Sequence, residues 1–368
     1  MPRSSPKTTT KVPSPLRQSK SYHSPSHTTK PTLTCPYCEG TNIVRSGIRA
    51  TKHGAVQIYQ CHFCERRFTP QVTKHRTYPM RVIVETLSRY NRLHPLPEVI
   101  DGVRKKFGIQ VPISTARRWL TEFASYLPFL RLRDVARRHT IPAHQAIFQH
   151  RLHHGQVYDF KYHRTKTDLL LTTDAKNDPL APLRTYLDSI PQACPHDLFL
   201  KETPRASQAK NAFPVHNLRI TERHDNAAVE SARFALQAVA KNKLRHENVQ
   251  EFMLVNDSAT VAVEVPIVLT YEDVHHYRTK LGFAVPLPLQ RGDVYTGHID
   301  IVQIRNGQVH ILDYKPDAKH IKPVEQLMIY ALALARRSHM LLYHFRCAWF
   351  DDRNYYEFYP LHVVKHTP

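Results

Sequence analysis

Five polar side chains near the C-terminal end of the chain have the types and spacing needed for metal-assisted hydrolysis. They are Asp300, Asp313, Lys315, Gln326 and Tyr330. Two carboxylates that converge repel each other, and a Mg²⁺ or Mn²⁺ ion bound between them relieves that repulsion. Such an ion polarises a phosphate and lowers the pKa of a bound water, while a lysine stabilises the charge that develops on the phosphate. The set therefore indicates metal-dependent cleavage of a phosphodiester.

Two strands and a tight turn are predicted to bring the carboxylates together. Tyr295–Ile304 and Val309–Lys315 are rich in apolar residues, and Asn306-Gly307 lies between them. This dipeptide is a strong signal for a two-residue hairpin. Because side chains two apart on a strand share a face, the carboxylate and the lysine of the second stretch point the same way. The hairpin then places the carboxylate of the first stretch alongside.

A predicted helix, Val324–Arg337, presents the remaining two groups. Its apolar residues follow helical spacing,. Gln326 and Tyr330 are i and i+4, so they lie on one helix face. From that face they can orient DNA or Lys315, although an ordinary surface polar pair has the same spacing.

The neighbouring segments complete an α/β pattern. Ala227–Lys241 has helical spacing and Val261–Leu269 the content of a strand, whereas Met340–Phe350 and Tyr355–Val364 predict two further strands. The predicted order over residues 222–368 is αβββαβ with a trailing strand, which is an α/β fold.

Three motifs in this region resemble those of a known nuclease family. Gly297…Asp300, Asp313-Tyr314-Lys315 and Gln326…Tyr330 occur in the order typical of the RecB-like branch of the PD-(D/E)XK nuclease superfamily. The resemblance covers residues 222–350. It implies a restriction-endonuclease-like core, a magnesium or manganese ion held by the two aspartates, and catalysis assisted by the lysine, the glutamine and the tyrosine.

The same family supplies one more acidic residue or a histidine from the preceding helix. Glu230 is the candidate that the resemblance implies, with Glu222 and His224 as alternatives. Glu264, on the first predicted core strand, is a further contributor. No motif fixes the choice among these residues.

Basic residues are concentrated in the N-terminal part of the chain. The formal net charge of the 368 residues is +21, and residues 1–140 carry +18 of it, with 25 Lys and Arg against 7 Asp and Glu. A localised positive charge is typical of a protein that binds a polyanion, whereas solubility alone does not require such a concentration. We therefore expect DNA as a partner.

Four of the six cysteines form two CxxC pairs with the spacing of a zinc site. The pairs are Cys35/Cys38 and Cys61/Cys64. Each pair places two thiolates on one side of a tetrahedral ion, so the four together predict a structural zinc with no open position. The text around them resembles the zinc ribbon of insertion-sequence transposases over residues 35–69.

A helical segment follows the cysteines. The predicted helices are Met80–Leu93, Leu96–Phe107 and Ser114–Tyr126, the last with Ser114 as its N-cap,. The third is similar to a recognition helix of a helix-turn-helix, with Trp119 inside. Arg117 and Arg118 would then contact DNA. A helical bundle with a solvated basic face is the alternative.

The sequence predicts five units. They are a disordered basic arm at 1–33, a zinc ribbon at 34–76, a helix-turn-helix at 77–127, a middle region or linker of unknown role at 128–221, and the nuclease domain at 222–368. In the middle region, residues 150–171 have some strand character and residues 174–216 are Pro-rich, which predicts mostly loop,.

Taken together, the residues predict a metal-dependent DNA endonuclease or nickase that a zinc-ribbon and helix-turn-helix module directs to DNA. A mobile element, a defence system or a repair system would provide the context. The alternatives are a non-catalytic DNA-binding regulator and the nuclease subunit of a transposase. We expect a location with DNA, either cytoplasmic and nucleoid-associated or otherwise intracellular.

Overall fold

Two β-sheets organise the part of the chain that the computed structural model describes. The described residues are 35, 38, 40–51, 54–69, 77–138, 142–209, 213, 218–239 and 244–365. Helices cover both faces of the larger sheet, so the prediction of a mixed α/β fold is confirmed. The arm predicted for residues 1–33 lies outside the described residues.

The smaller sheet lies in the cysteine segment. It consists of β1 (Ile43–Thr51), β2 (Gly54–Cys61) and β3 (Arg67–Phe68), all antiparallel. The hairpin formed by β1 and β2 occupies the interval between the two CxxC pairs. Cys35, Cys61 and Phe68 are buried together under this sheet.

Three helices follow at the predicted places. They are α1 (Met80–Asn91), α2 (Leu96–Phe107) and α3 (Ile113–Glu122). The predicted N-cap of α3 is wrong, because the cap is Pro112 in extended backbone and Ser114 lies inside the first turn. The third helix also ends four residues early, and a short 3-10 turn at Ala124–Tyr126 continues it.

The middle region is not a linker. It contains α4 (Leu130–Arg138), β4 (Ile147–His154), β5 (Gln156–His163), α5 (Arg164–Thr173) and α6 (Ala181–Ala193). The Pro-rich part was predicted as loop, but Pro182 lies in the first turn of α6, where a proline fits a helix,. Both strands belong to the larger sheet, so this region is part of the main fold.

The remaining elements build the rest of the larger sheet and its cover. They are β6 (Thr221–Glu222), α7 (Ala227–Leu236), α8 (Arg245–Asn256), β7 (Thr260–Thr270), α9 (Tyr271–Lys280), β8 (Val294–Arg305), β9 (Gln308–Tyr314), α10 (Val324–Arg337), β10 (Phe345–Phe350), β11 (Tyr355–Phe358) and α11 (Pro360–Val364). Helices α8 and α9 were not predicted. The segment 360–364, predicted as the end of a strand, is helical.

The eight strands of the larger sheet have the order β4-β5-β7-β8-β9-β10-β11-β6. All neighbours are antiparallel except β9 and β10, which are parallel and joined through α10. The turn between β8 and β9 is the predicted Asn306-Gly307, and both residues have positive φ, 54° and 72°. A two-residue turn of this kind requires positive φ at both positions, which explains the choice of residues.

The helices on the two faces of the larger sheet belong to two cores. On one face, α10 and α6 pack against the sheet. On the other face, α7 and α8 pack against the sheet together with α1 and α3. On this second face, Phe234 of α7 connects α7 and α8 with the N-terminal helices. Its ring lies 5.2 Å from that of Phe123, which follows α3, and 4.4 Å from that of Tyr126. The predicted boundary between residues 127 and 128 therefore does not separate two cores.

Candidate functional site

Three carboxylates form a row across the centre of the larger sheet. The register of β8 and β9 places Asp300 opposite Asp313, one step beyond the Ile301–Leu312 pair. Glu264 of β7 lies across from Asp300 of β8, because the residues on either side of Glu264 pair with the residues on either side of Asp300. Asp313 is completely buried and Asp300 is 8% exposed, whereas Glu264 is partly exposed. Buried carboxylates in one row must be neutralised by protons, cations or a metal ion.

A histidine in the first turn of α8 contacts the central carboxylate of the row. His246 Nε2 lies 2.7 Å from Asp300 Oδ2, and the backbone N–H of Tyr314 donates to the same oxygen at 3.0 Å. One ligand atom from each of His246, Glu264 and Asp300 lies within 4.8 Å of the others. This spacing is compatible with joint coordination of one cation.

Lys315 and the two polar residues of α10 form a connected chain beside Asp313. Lys315 Nζ lies 2.7 Å from Asp313 Oδ2 and donates to Gln326 Oε1 at 3.4 Å. Gln326 Nε2 in turn donates to the hydroxyl of Tyr330 at 2.8 Å. The glutamine therefore contacts the lysine directly, and the tyrosine contacts the glutamine.

Gly297 makes room for this chain. A Cβ at this position would lie 2.7 Å from Cε1 of the Tyr330 ring, a distance that real Cβ contacts do not adopt. Only glycine therefore lets the tyrosine ring lie directly on the backbone of β8. The glycine of the first sequence motif is thus linked to the tyrosine of the third by packing.

The backbone at Glu264 is in an unusual conformation. Its φ is 52°, in the left-handed region that residues other than glycine seldom adopt,. Such a conformation costs about 1–3 kcal/mol and persists only where the surroundings impose it, often at functional sites. Gln250 Nε2 of α8 donates to Glu264 Oε1 at 2.7 Å and fixes the direction of the carboxylate.

The ionisable groups of the row shift one another's pKa strongly. Burial opposes ionisation of Asp300, but the charge and hydrogen bond of His246 hold its pKa well below the usual range. Burial acts against the charged form of His246, yet Asp300 raises its pKa to about 9. Burial and then the charge of Asp300 raise the pKa of Glu264 to about 7 and that of Asp313 well above its usual value. Coupled shifts of this kind are typical of functional sites.

The structure does not bring Glu230 to this cluster. Glu230 is exposed on α7, where Arg233 Nη1 lies 2.6 Å from its carboxylate. Glu222 lies on β6, four strands from β8 in the sheet order, which corresponds to roughly 19 Å at ordinary strand spacing,. His224 is exposed just beyond β6. The helix residue that contacts Asp300 is His246 of α8, and Glu264 lies on β7, the first predicted core strand.

His246 was not among the predicted site residues because the helix that carries it, α8, was not predicted from the sequence. In α8 the first four residues are polar, whereas Val249, Phe252, Met253, Leu254 and Val255 are apolar and buried. The polar and apolar residues are therefore separated along the helix and do not form two faces, so amphipathic spacing is lacking,. The one available signal was the local text Arg245-His246-Glu247, a polar start to an apolar run.

A cleft of about 320 Å³ reaches the row from β5 and α8. His246 and Glu264 line it, together with Lys161, Glu247 and Glu251. Glu251 is neutralised by ion pairs with Arg92 and Lys161. Solvent and ligands can therefore reach His246 and Glu264 through this cleft.

The four predicted zinc ligands lie close together in the small sheet. The Sγ atoms of Cys35 and Cys64 are 3.6 Å apart, and those of Cys38 and Cys61 are 3.5 Å apart. All four lie within 4.8 Å of one another. This arrangement is compatible with a tetrahedral zinc site.

Arg117 and Arg118 are exposed on α3, whereas Trp119 is buried, as predicted.

None of the helices in the described residues combines the length and the apolar character needed to span a bilayer. No protein-family model, no curated protein and no solved structure matches this chain.

Proposed function

We propose that the chain is a divalent-metal-dependent DNA endonuclease or nickase. The observation that carries this proposal is the row of Glu264, Asp300 and Asp313, with Lys315 at one end and His246 over its centre. Carboxylates with an adjoining lysine suit the hydrolysis of a phosphodiester, since the reaction needs a cation at the phosphate and an activated water.

The donor set fits a divalent ion. Both oxygens of Asp313 are buried, and the ammonium of Lys315 lies 2.7 Å from Oδ2. Carboxylate oxygens are the ligands that Mg²⁺ and Mn²⁺ prefer. Asp300, Asp313, Glu264 and His246 would hold the ion. When bound, it would polarise the phosphate and lower the pKa of a coordinated water.

The protein side chains position the reacting groups. Burial opposes the ammonium form of Lys315, but the charges of Asp313 and Asp300 raise its pKa, so the side chain stays cationic. Its ammonium therefore stabilises negative charge that develops on a phosphate oxygen. Gln326 and Tyr330 restrict the lysine to one direction, and Gln250 does the same for Glu264.

We also propose that residues 245–350 form a restriction-endonuclease-like core. The order of elements β7, β8, β9, α10 and β10, with α8 before them and α9 inserted after β7, supports this. The parallel pairing of β9 and β10 through α10 is also consistent with such a core. The three motifs that resemble the RecB-like nucleases lie together in it.

We further propose that residues 1–140 bind DNA and that the four cysteines in this part of the chain bind a structural zinc ion. The concentration of positive charge in residues 1–140 supports this, because the rest of the chain has a net charge of only +3. Phosphate contacts by Lys and Arg supply most of the non-specific affinity for DNA. A transposase or another DNA-processing protein would be a partner.

A cleavage assay tests the nuclease proposal. Purified protein is incubated with supercoiled, linear and branched DNA in Mg²⁺, in Mn²⁺ and in excess EDTA. We expect nicked or linear products with either metal and none with EDTA. Equal cleavage in EDTA would contradict the metal mechanism. Binding of all three DNAs without any cleavage would favour the non-catalytic regulator.

Substitution of two exposed arginines of α3 tests whether the N-terminal part of the chain binds DNA. The double variant Arg117→Ala/Arg118→Ala should bind duplex DNA more weakly and lower the slope of log K against log[salt] by about 2, or about 0.9 for each lost phosphate contact. The matched control is Arg137→Ala/Arg138→Ala, an adjacent exposed pair on α4. Equal changes in both double variants would show that α3 has no special role.

A further inference from the structure

A second group of metal-ligating side chains lies in the middle region. His154 ends β4, while Cys194 and His196 follow α6. One ligand atom from each of the three lies within 4.8 Å of the others. The closest pair is His154 Nε2 and His196 Nδ1, at 2.8 Å.

The ring of His154 is held in place from several sides. Its Nδ1 lies 2.8 Å from Nε2 of His298, and its ring stacks on Phe199 with a centroid distance of 3.8 Å. His298 in turn stacks on Tyr158 at 3.6 Å. In metal sites the second nitrogen of a ligating histidine is usually hydrogen-bonded, and this bond fixes the tautomer and the ring orientation. His298 provides that bond here, which leaves Nε2 of His154 directed at the other two groups.

The donor atoms of the three side chains suit a cation with affinity for nitrogen and sulfur,. Burial, with the charges of His196 and Arg205, lowers the pKa of His154 to about 4, so its imidazole is neutral at ordinary pH. Burial raises the pKa of the Cys194 thiol to about 12, so a cation that binds there displaces a proton,. Imidazole and thiolate together suit Zn²⁺ far better than Mg²⁺.

We propose that His154 Nε2, His196 Nδ1 and Cys194 Sγ bind one Zn²⁺ ion. His154 is fully buried, whereas Cys194 and His196 are partly exposed, so the fourth ligand position faces solvent. The site is separate from the four cysteines of the small sheet and does not use the carboxylates of the central row. The bound ion ties the end of β4 to the segment after α6.

Metal analysis of the full chain tests the site. After dialysis against zinc and then buffer, Cys194→Ser and His196→Ala should each carry about one zinc fewer than the parent protein. His153→Ala is the matched control, because His153 is the exposed neighbour of His154 on the same strand. Cys38→Ser should also lose about one zinc, from the small sheet. Parent stoichiometry in both Cys194→Ser and His196→Ala would overturn the proposal.

A measurement on the parent protein covers the case in which the variants fail to fold. Cys194 is partly exposed, so its rate of alkylation by N-ethylmaleimide can be followed by peptide mass spectrometry. We expect this rate to be at least about tenfold slower in excess Zn²⁺ than in EDTA, since a coordinated thiolate is no longer free to react. Equal rates would overturn the proposal. Neither readout depends on nuclease activity.

Discussion

Replacing Asp313 by asparagine is expected to abolish Mg²⁺-dependent cleavage of DNA while the protein remains folded. Asp313 is completely buried in the carboxylate row, and burial with the charge of Asp300 raises its pKa well above the usual value. Asparagine has the same shape but offers only one weak ligand oxygen, so it removes a metal ligand without leaving a cavity. Lys315→Ala should lower the cleavage rate by about 10²–10³-fold, the usual effect of removing one group that stabilises transition-state charge.

Metal binding gives this prediction a second readout. Mg²⁺ should raise the unfolding temperature of the parent protein because the ion binds only the folded state. It should have much less effect on Asp313→Asn. Lys315→Ala should keep the thermal effect of Mg²⁺ and lose the activity, which separates the loss of a metal ligand from the loss of charge stabilisation.

Glu230→Gln is the matched control for both variants. It removes a carboxylate that the family resemblance implied for the site and that the structure places on the exposed face of α7. Full activity of this variant together with loss of activity in His246→Ala would support the structural assignment. Full loss in Glu230→Gln would show that the geometry of the row has been misassigned.

The strand part of the site could be predicted because local signals determine it. Asn306-Gly307 sets the turn, and once the turn is set the register of β8 and β9 places Asp300 opposite Asp313 without further information,. The pairing of Gln326 with Tyr330 likewise follows from helix geometry alone,. These features depend on residues close together in the chain.

The rest of the site depends on tertiary contacts that no local signal reports. His246 reaches Asp300 only because α8 packs against the sheet. In α8 the first turn is polar and the apolar residues follow it, so no amphipathic pattern marks the helix in the sequence,. The group His154, Cys194 and His196 spans the end of a β-strand and a segment that begins forty residues later along the chain. Tertiary contacts also explain the middle region. Its two strands extend the larger sheet, and α6 forms in the Pro-rich part that was predicted as loop.

Phe234→Ala is expected to destabilise the sheet and the helices α1–α3 together. Phe234 is 2% exposed on α7, and its ring contacts Phe123, Tyr126 and Phe252. Truncating a buried phenylalanine usually costs about 3–5 kcal/mol, since it removes apolar contacts and leaves a cavity. Tyr343→Ala is the control, because its side chain is 66% exposed and its loss should change stability by less than about 0.5 kcal/mol,.

The two tryptophans of the chain report on the two sides of this interface. Trp119 lies on α3 and Trp349 on β10. Urea unfolding is therefore followed by fluorescence in Trp349→Phe and Trp119→Phe, each with and without Phe234→Ala. We expect one common midpoint for both probes and a similar decrease of both midpoints when Phe234 is removed, because a shared core unfolds cooperatively. Two separate midpoints, with only one moved by Phe234→Ala, would mean that α1–α3 form an independent domain. A common midpoint would also imply that DNA bound at α3 is held in a fixed orientation relative to the carboxylate row, since no flexible linker would separate the two.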